Sequence, residues 1–352
     1  MYLLELGGED DAFAACEARN AATGVERIAT GLATAGSVAT DRARGLAYTH
    51  RVSDLVGRTD AAIDSAVALL DAAPVDRAGT VAVRARDVRG ETGISTSEAE
   101  RALGGVLVDR GFSVDLDDPD HELRAVFASL PDDERADEEA GSDATTEAGE
   151  AGVCALGWLT AESVRDFGDR MPTDKPFFQP GSMDPLFARA VVNIAGAGPG
   201  QTLLDPMCGT GGVLVEAGLV GADVVGTDAQ EKMVRGAATN LSHFLDDDGH
   251  AIGTAGDWHV CRGDGTALPL RDDTVDAVVF DAPYGRQSKI ETHALDDLVA
   301  GALTEARRVA ERCVVVADRS WVEQARDAGW SVDATFERRV HRSLTRYVLV
   351  LT

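Results

Sequence analysis

Four short apolar segments in the second half of the chain alternate with longer stretches of helical or loop character. These predicted strands cover residues 202–204, 223–226, 277–280 and 313–316, and each gap is long enough for a crossover connection. Alternation of this kind predicts an α/β domain with a mostly parallel, doubly wound, Rossmann-like sheet. A last apolar run at 347–351 is predicted to close that sheet as an antiparallel strand.

An acidic segment without apolar periodicity, residues 131–152, divides the chain. Its content of Asp, Glu, Ala, Gly and Thr predicts a disordered linker or surface insertion. Before it, a small α+β region is indicated by predicted strands at 2–6 and 80–86 and by a helix that Ser95 or Ser97 caps. We therefore divide the chain at residues 1–72, 73–130, 131–152 and 153–352.

The chain is strongly acidic, with 60 acidic and 33 basic residues and a formal net charge of −27. Hydrophobic residues still make up 44% of it, and Lys175, Lys232 and Lys289 are its only lysines. This composition resembles that of proteins from salt-loving archaea, in which concentrated salt screens surface charge. The acidity is therefore interpreted as a surface adaptation that does not exclude a nucleic-acid partner, although such partners usually leave a basic footprint.

The five cysteines are widely spaced, odd in number and form no CxxC pair, which argues against a disulfide framework and against a metal site. Acidic residues at positions 9–11 are incompatible with a signal peptide. No apolar run approaches the roughly 18 residues that a membrane span needs. A cytoplasmic protein without a membrane segment is expected. The residues specify neither an oligomeric state nor an accessory subunit.

A glycine-rich turn, DPMCGTGG at residues 205–212, follows the first predicted strand of the α/β domain and precedes a helix. Glycine lets a ligand approach the backbone, but a tight strand-to-helix turn also needs glycine for its own geometry. The next strand leads into Asp228, about 20 residues after the glycines, a spacing that suits a carboxylate on ribose hydroxyls. These features alone leave a dinucleotide-binding domain open.

The acid before the glycines distinguishes this turn from a dinucleotide fingerprint. DPxCGTGG resembles the first motif of amino-methyltransferases. The resemblance implies a class I methyltransferase domain in which Asp205, Cys208, Gly209 and Gly211 hold the methionine part of S-adenosylmethionine.

A further acid, Asp264, lies between two glycines after the next presumed strand. It matches the family acid that meets the adenine amino group of the cofactor. An isolated Asp between glycines is also typical of a turn.

The segment Asp281-Ala282-Pro283-Tyr284 follows a predicted strand, at the sheet edge where ligands of doubly wound folds bind. A base amino nitrogen is a poor nucleophile because its lone pair is delocalised into the ring. The Asp281 carboxylate and a carbonyl of Ala282 or Pro283 can accept its two N–H bonds and hold it toward a methyl donor. Tyr284 can stack on the base. We identify these four as candidate catalytic residues; a loop with a buried Asp and a turn Pro is the simpler alternative.

The same segment resembles the (D/N)PP(Y/F) motif of nucleic-acid amino-methyltransferases, with Ala282 in place of the first proline. Asp281 at the first position resembles the guanine 2-amino methyltransferases that act on tRNA, since related rRNA and other tRNA enzymes often carry Asn. The segments 169–183 and 340–347 resemble the archaeal tRNA guanosine-10 N2-methyltransferase family, and the resemblance covers nearly the whole chain.

Residues 80–130 resemble a THUMP domain, the RNA-binding module of that family, and the opening MYLLELGGED is similar to its small ferredoxin-like domain. The resemblance implies tRNA as the partner. Arg84, Arg86 and Arg89 are candidate phosphate contacts, although exposed arginines on a strand often only solvate the surface.

The expected function is transfer of one or two methyl groups from S-adenosylmethionine to the 2-amino group of guanosine 10 in tRNA. One alternative keeps the chemistry but changes the substrate to another tRNA or rRNA guanosine or to a DNA amino group, and the THUMP resemblance argues against DNA. Another is an RNA-binding protein that has lost catalysis, which the presence of Asp205, Gly209, Asp228 and Asp281 opposes.

Overall fold

The computed structural model describes residues 1–130, 152–246, 249–283, 292–341 and 344–352. The chain forms two units, one of residues 1–44 with 48–163 and one of residues 45–47 with 164–352. The predicted linker at 131–152 lies outside the described residues except for Gly152, which begins a strand.

The first unit carries ten strands and four helices among its described residues. The strands are β1 (Tyr2–Leu6), β2 (Ala22–Thr23), β3 (Glu26–Ala29), β4 (Leu32–Ala35), β5 (Ser37–Val38), β6 (Thr49–Asp60), β7 (Thr80–Asp87), β8 (Ser113–Val114), β9 (His121–Ser129) and β10 (Gly152–Glu162). The helices are α1 (Asp11–Ala18), α2 (Thr40–Ala43), α3 (Ile63–Ala72) and α4 (Thr96–Asp109). Eight strands form one sheet in the order β3-β4-β1-β6-β10-β9-β7-β8, and β2 pairs with β5.

Strand β9 shows why this sheet is stable. Leu123, Ala125 and Phe127 pack in one core cluster with residues of α3 and α4, whereas Val126 and Ala128 pack in a second cluster with residues of β1. Successive side chains of a strand point to opposite faces, so an uninterrupted apolar run buries a central strand on both sides.

The unit boundaries differ from those drawn on the sequence. Strand β10 pairs with β6 on one side and β9 on the other, so it belongs to the first unit, and the second unit resumes at residue 164 rather than at 153. The same pairing places residues 1–72 and 73–130 in one continuous sheet. The predicted strands at 2–6 and 80–86 are confirmed, and Ser95 is the N-cap of α4.

The second unit contains a seven-stranded sheet in the order β13-β12-β11-β14-β15-β17-β16. Its strands are β11 (Thr202–Asp205), β12 (Asp223–Asp228), β13 (Trp258–Arg262), β14 (Ala277–Asp281), β15 (Cys313–Ala317), β16 (Val332–His341) and β17 (Leu344–Leu351). Its helices are α5 (Pro185–Ala195), α6 (Gly212–Leu219), α7 (Glu231–Leu245), α8 (Thr292–Val309) and α9 (Val322–Asp327).

The predicted doubly wound sheet is confirmed. Strands β11 to β15 pair in parallel, and β17 pairs with β15 and β16 antiparallel, as predicted for the closing strand. From β11 the chain runs outward to β12 and β13 and then returns to β14 on the other side, so the strand order reverses between β11 and β14. Ligands of such sheets bind beyond the carboxyl ends of the strands at this reversal.

None of the helices in the described part of the chain combines the length and the apolar character needed to cross a membrane.

Candidate active site

Three carboxylates meet at the strand-order reversal of the second unit. Asp205, Asp228 and Asp281 are the last residues of β11, β12 and β14, and β11 pairs with both of the other strands. Asp205 is only 2% exposed. Burial raises the pKa of the Asp205 carboxyl well above its ordinary value, the Met207 N–H that it accepts opposes this, and the charges of Asp228 and Asp281 add to it. This edge therefore favours a positively charged ligand.

The glycine turn between β11 and α6 leaves room for such a ligand. Gly209 and Gly211 have φ angles of 52° and 75°, a region that favours glycine. A Cβ on Gly211 would stand 3.2 Å from the Cβ of Ala237, whereas a Cβ on Gly209 would meet nothing within 4 Å. The turn thus needs glycine for its own geometry at both positions, and Gly209 borders open space.

Asp228 connects the turn to the following loop. Its Oδ2 accepts the Gly209 N–H at 3.1 Å, and its Oδ1 accepts the Gln230 N–H at 2.8 Å. The side chain is half-buried, and each oxygen retains a further lone pair for a ligand hydroxyl.

Cys208 packs toward the sheet. Its Sγ lies 3.2 Å from the position that a Cβ on Gly226 would take, and its N–H donates to the Thr227 carbonyl at 2.9 Å. Burial, followed by the charge of Asp205, raises the pKa of the thiol well above its ordinary value. The contribution of this side chain to the turn is therefore packing as a neutral thiol.

Asp264 lies on an exposed loop next to the glycine turn. A Cβ on the adjoining Gly265 would stand 3.2 Å from the Pro206 carbonyl oxygen, which places the two loops against each other. The Oδ1 of Asp264 accepts two hydrogen bonds from Thr266, one from its N–H at 2.9 Å and one from its hydroxyl at 2.8 Å. These bonds lower the pKa of the Asp264 carboxyl. Asp264 is thus a turn residue as well as a candidate ligand contact.

The proposed catalytic segment continues the sheet for one residue beyond Asp281. The Ala282 N–H donates to the Val316 carbonyl at 2.8 Å, and Ala282 is 2% exposed within the core between the sheet and α8. Proline has no N–H, so the alanine permits a hydrogen bond that the more common proline would forfeit. Pro283 is half-buried. Tyr284 lies outside the described residues, and its stacking role stays a prediction.

Two features of the site were missed on the sequence. Arg346 of β17 places its Nη2 3.8 Å from the Oδ2 of Asp281, although 65 positions separate them in the chain. Asn240 of α7, which is fully buried, donates to the carbonyls of Phe177 and Thr210 at 2.8 Å and joins the segment at 175–183 to the glycine turn. The sequence resemblance included the segments of Arg346 and Phe177 but gave no sign of these contacts.

The three candidate RNA-binding arginines lie in the first unit and already have protein partners. Arg86 contacts Glu5 at 3.3 Å and Arg89 contacts Asp11 at 2.8 Å, while Arg84 donates to the Leu116 carbonyl at 2.5 Å. Each of these arginines is about one-third exposed. Phosphate binding by them stays a prediction, and it would compete with these bonds.

A long segment of the second unit matches a known family. Residues 172–348 match the description "UPF0020: RMKL-like, methyltransferase domain". A tRNA (guanine(10)-N2)-dimethyltransferase of Methanothermobacter thermautotrophicus is 33% identical over 87% of this chain and 83% of its own length. The chain belongs to this methyltransferase family.

A second relative and a solved structure are also similar to this chain. The tRNA (guanine(10)-N2)-dimethyltransferase of Pyrococcus abyssi is 30% identical to this family member over 78% of the chain and 74% of its own length. Among solved structures, TrmN from Thermus thermophilus has a TM-score of 0.46 at 22% identity, covering 99% of this chain and 98% of its own. The family assignment rests on the sequence matches.

The residues at the sheet edge fit S-adenosylmethionine, the methyl donor of this family. Its sulfonium and ammonium groups are cations that a carboxylate such as that of Asp205 complements, and its ribose hydroxyls are hydrogen-bond donors of the kind that Asp228 can accept. The open space at Gly209 admits a ligand to the backbone. Within the described ranges, no group of three or more His, Cys, Asp or Glu side chains is arranged to hold a metal ion.

Proposed function

We propose that this protein transfers methyl groups from S-adenosylmethionine to the exocyclic 2-amino group of guanosine 10 in tRNA. The observation that carries the proposal is the position of Asp281, followed by Ala282 and Pro283, at the strand-order reversal beside Asp205 and Asp228. The names of the relatives support guanosine 10 as the target and two successive methyl transfers as the outcome.

The cofactor contacts are proposed as follows. Asp205 and the turn of Cys208, Gly209 and Gly211 hold the methionine end, Asp228 accepts hydrogen bonds from the ribose, and Asp264 meets the adenine. When bound, S-adenosylmethionine supplies a methyl group that its positive sulfur already activates for displacement.

Asp281 and the loop after it prepare the nucleophile. The carboxylate accepts one N–H of the guanine amino group and a carbonyl of Ala282 or Pro283 accepts the other, which makes the nitrogen more pyramidal and localises its lone pair toward the methyl donor. Because the Ala282 N–H is bonded to Val316, the peptide between Asp281 and Ala282 is fixed to the sheet, and the carbonyl that follows it needs little further ordering. Asp281 then accepts the proton that the methylated amine loses.

The first unit is proposed to bind the tRNA, with ferredoxin-like residues 1–72 and THUMP residues 73–130 sharing its sheet. Flipping a base out of folded tRNA costs a few kcal/mol, and contacts elsewhere on the RNA can offset this. Tyr284 is proposed to stack on the flipped base, and Arg84, Arg86 and Arg89 to contact phosphates. The protein is proposed to act in the cytoplasm, where its tRNA substrate is found.

The test compares Asp281→Ala with Asp276→Ala, which lies just before the other end of β14 and accepts the Thr202 N–H at 2.7 Å. We expect D281A to lower methyl transfer to tRNA by about 10³-fold, in the range reported for loss of a catalytic acid–base group, while calorimetry gives a normal Kd for the cofactor. D276A should retain activity.

Mass-spectrometric mapping of the product then tests the substrate. We expect N2,N2-dimethylguanosine at position 10, and none in a transcript with adenosine there. Methylation at another position would overturn the substrate assignment, full activity of D281A would overturn the catalytic one, and a wild-type protein that binds tRNA without methylating it would support the non-catalytic alternative.

A further inference from the structure

Arg346 reaches the catalytic edge because of the antiparallel strand that closes the sheet. Asp281 pairs with Val316 of β15, and Val316 pairs with Val348 of β17. Arg346 is two residues from Val348 on β17, on the side where the parallel strands end. Its Nη2 lies 3.8 Å from the Oδ2 of Asp281, and the two side chains are 7% and 22% exposed.

The guanidinium of Arg346 also lies over an aromatic ring. Its central carbon lies 5.8 Å from the centre of the Phe187 ring on α5, and that of Arg338, its cross-strand neighbour on β16, lies 5.0 Å from the same ring. A planar cation over an aromatic face is attracted by the ring electrons and loses little freedom when it pairs with a carboxylate. Arg346 is therefore held in place as a fixed charge.

The surrounding charges give this cation a role. Asp205 ends β11, the strand that pairs with β14, and the charge of Asp281 is one of the causes that raise the pKa of the Asp205 carboxyl. A protonated Asp281 would present a donor where the reaction needs an acceptor. A cation beside Asp281 favours its ionised form over that of the more deeply buried Asp205.

We propose that Arg346 is a positioning residue for methyl transfer, which keeps the Asp281 carboxylate ionised and turned toward the substrate amino group. This inference rests on the proposed role of Asp281. It assigns Arg346 to the chemical step and not to the binding of tRNA phosphates.

Steady-state kinetics of Arg346→Gln and Arg346→Lys test the assignment. We expect R346Q to lower kcat by about 10- to 100-fold, the effect of losing one close opposite charge, with the KM for tRNA and the cofactor Kd within about threefold of wild type. R346K keeps the charge but not the planar group that stacks on Phe187, and it should recover part of the lost kcat. If Arg346 binds phosphate instead, R346Q raises the KM for tRNA and leaves kcat unchanged, which overturns the proposal.

Arg308→Gln is the matched control. Arg308 pairs with Asp272 at 2.8 Å and Glu305 at 2.7 Å near the amino-terminal end of β14, so its loss removes an ion pair from the same unit away from the carboxyl edge. We expect normal kcat from R308Q. An equal loss of kcat in R308Q and R346Q would show a general structural effect and overturn the positioning role.

A double-mutant comparison separates the two proposals. In an Asp281→Asn background, where the neutral amide has no charge to stabilise, R346Q should change kcat by no more than about twofold. If D281A and D281N are fully active, the catalytic role of Asp281 fails, whereas a wild-type protein that does not methylate tRNA would overturn the proposed function. If D281A is inactive but R346Q has wild-type kcat, only the role of Arg346 fails.

Discussion

Each of the two units buries an acidic side chain, and their surroundings differ. In the first unit Glu5 is 1% exposed, and its oxygens accept the Arg124 Nε–H at 2.8 Å and Nη2–H at 3.1 Å, with Arg86 at 3.3 Å. In the second unit Asp205 is 2% exposed, and its neighbours Asp228 and Asp281 are also acidic.

The contrast distinguishes a charge that stabilises the fold from one that is arranged for a ligand. Burial would lower the pKa of the Arg124 guanidinium, but Glu5 and Glu122 raise it above its ordinary value, so this cluster is electrostatically matched. At Asp205 burial and like charge act in the same direction and raise the pKa. A cationic ligand would relieve that imbalance.

The matched cluster should be sensitive to loss of one partner. Glu5→Gln leaves Arg124 buried with its main counter-charge removed, and we expect a loss of about 3–5 kcal/mol in the stability of the first unit. Hydrogen exchange of peptides covering β1 and β9 measures this. The control is Glu162→Gln, whose ion pair with Arg51 at 2.6 Å is exposed and worth under about 1 kcal/mol. Equal effects would remove the distinction between the two environments.

Substitutions among the carboxylates of the second unit, Asp205, Asp228 and Asp281, should instead change the affinity for the ligand. Asp228→Ala removes a hydrogen-bonding carboxylate from the proposed ribose contact, and we expect the cofactor Kd to rise about 10- to 100-fold. Asp223→Ala is the control at the other end of β12, where Asp223 accepts the Asp257 N–H at 2.9 Å. A normal Kd by calorimetry for D228A would place Asp228 outside the cofactor site.

Replacement of Asp205 should have a small effect on the free energy of unfolding, and we expect this effect to be stabilising. Its folded-state pKa lies above its unfolded value, so the folded state binds the extra proton and stability falls as pH rises through the raised pKa. Asp205→Asn keeps an acceptor for the Met207 N–H without the buried charge. We expect Tm at neutral pH to rise by a few degrees.

The same variant should weaken cofactor binding. Thermal unfolding of D205N and wild type across the pH range tests the stability effect. A pH dependence unchanged by the substitution would show that ionised Asp205 costs the fold nothing.

Local pattern was sufficient to predict much of the second unit and the carboxylate edge. Four of the five parallel strands there are short apolar runs, and Asp205, Asp228 and Asp281 end such runs, so their meeting follows from the sheet order. Strands whose pairing partners are distant in sequence were harder to predict. Strand β10 follows the acidic segment and was grouped with the second unit, because its partners β6 and β9 lie before that segment.

Arg346 illustrates the same limit at the level of a site. Nothing in its own segment indicates a partner, and its approach to Asp281 depends on the register of two strand pairings. Antiparallel closure can be predicted from an apolar run, but the register cannot, and a shift of one residue would turn Arg346 to the opposite face.

The hydrogen bond from Ala282 to Val316 has a consequence for engineering and for sequence comparison. A chain with proline at this position stiffens the loop through its ring, whereas this chain anchors the loop through the neighbouring strand. Replacing Ala282 by proline alone would remove the N–H that bonds to the Val316 carbonyl. The Val316 carbonyl of β15 would then lose this partner. Alignments that treat the alanine as a weakened motif therefore overlook a second way of building the same rigid acceptor.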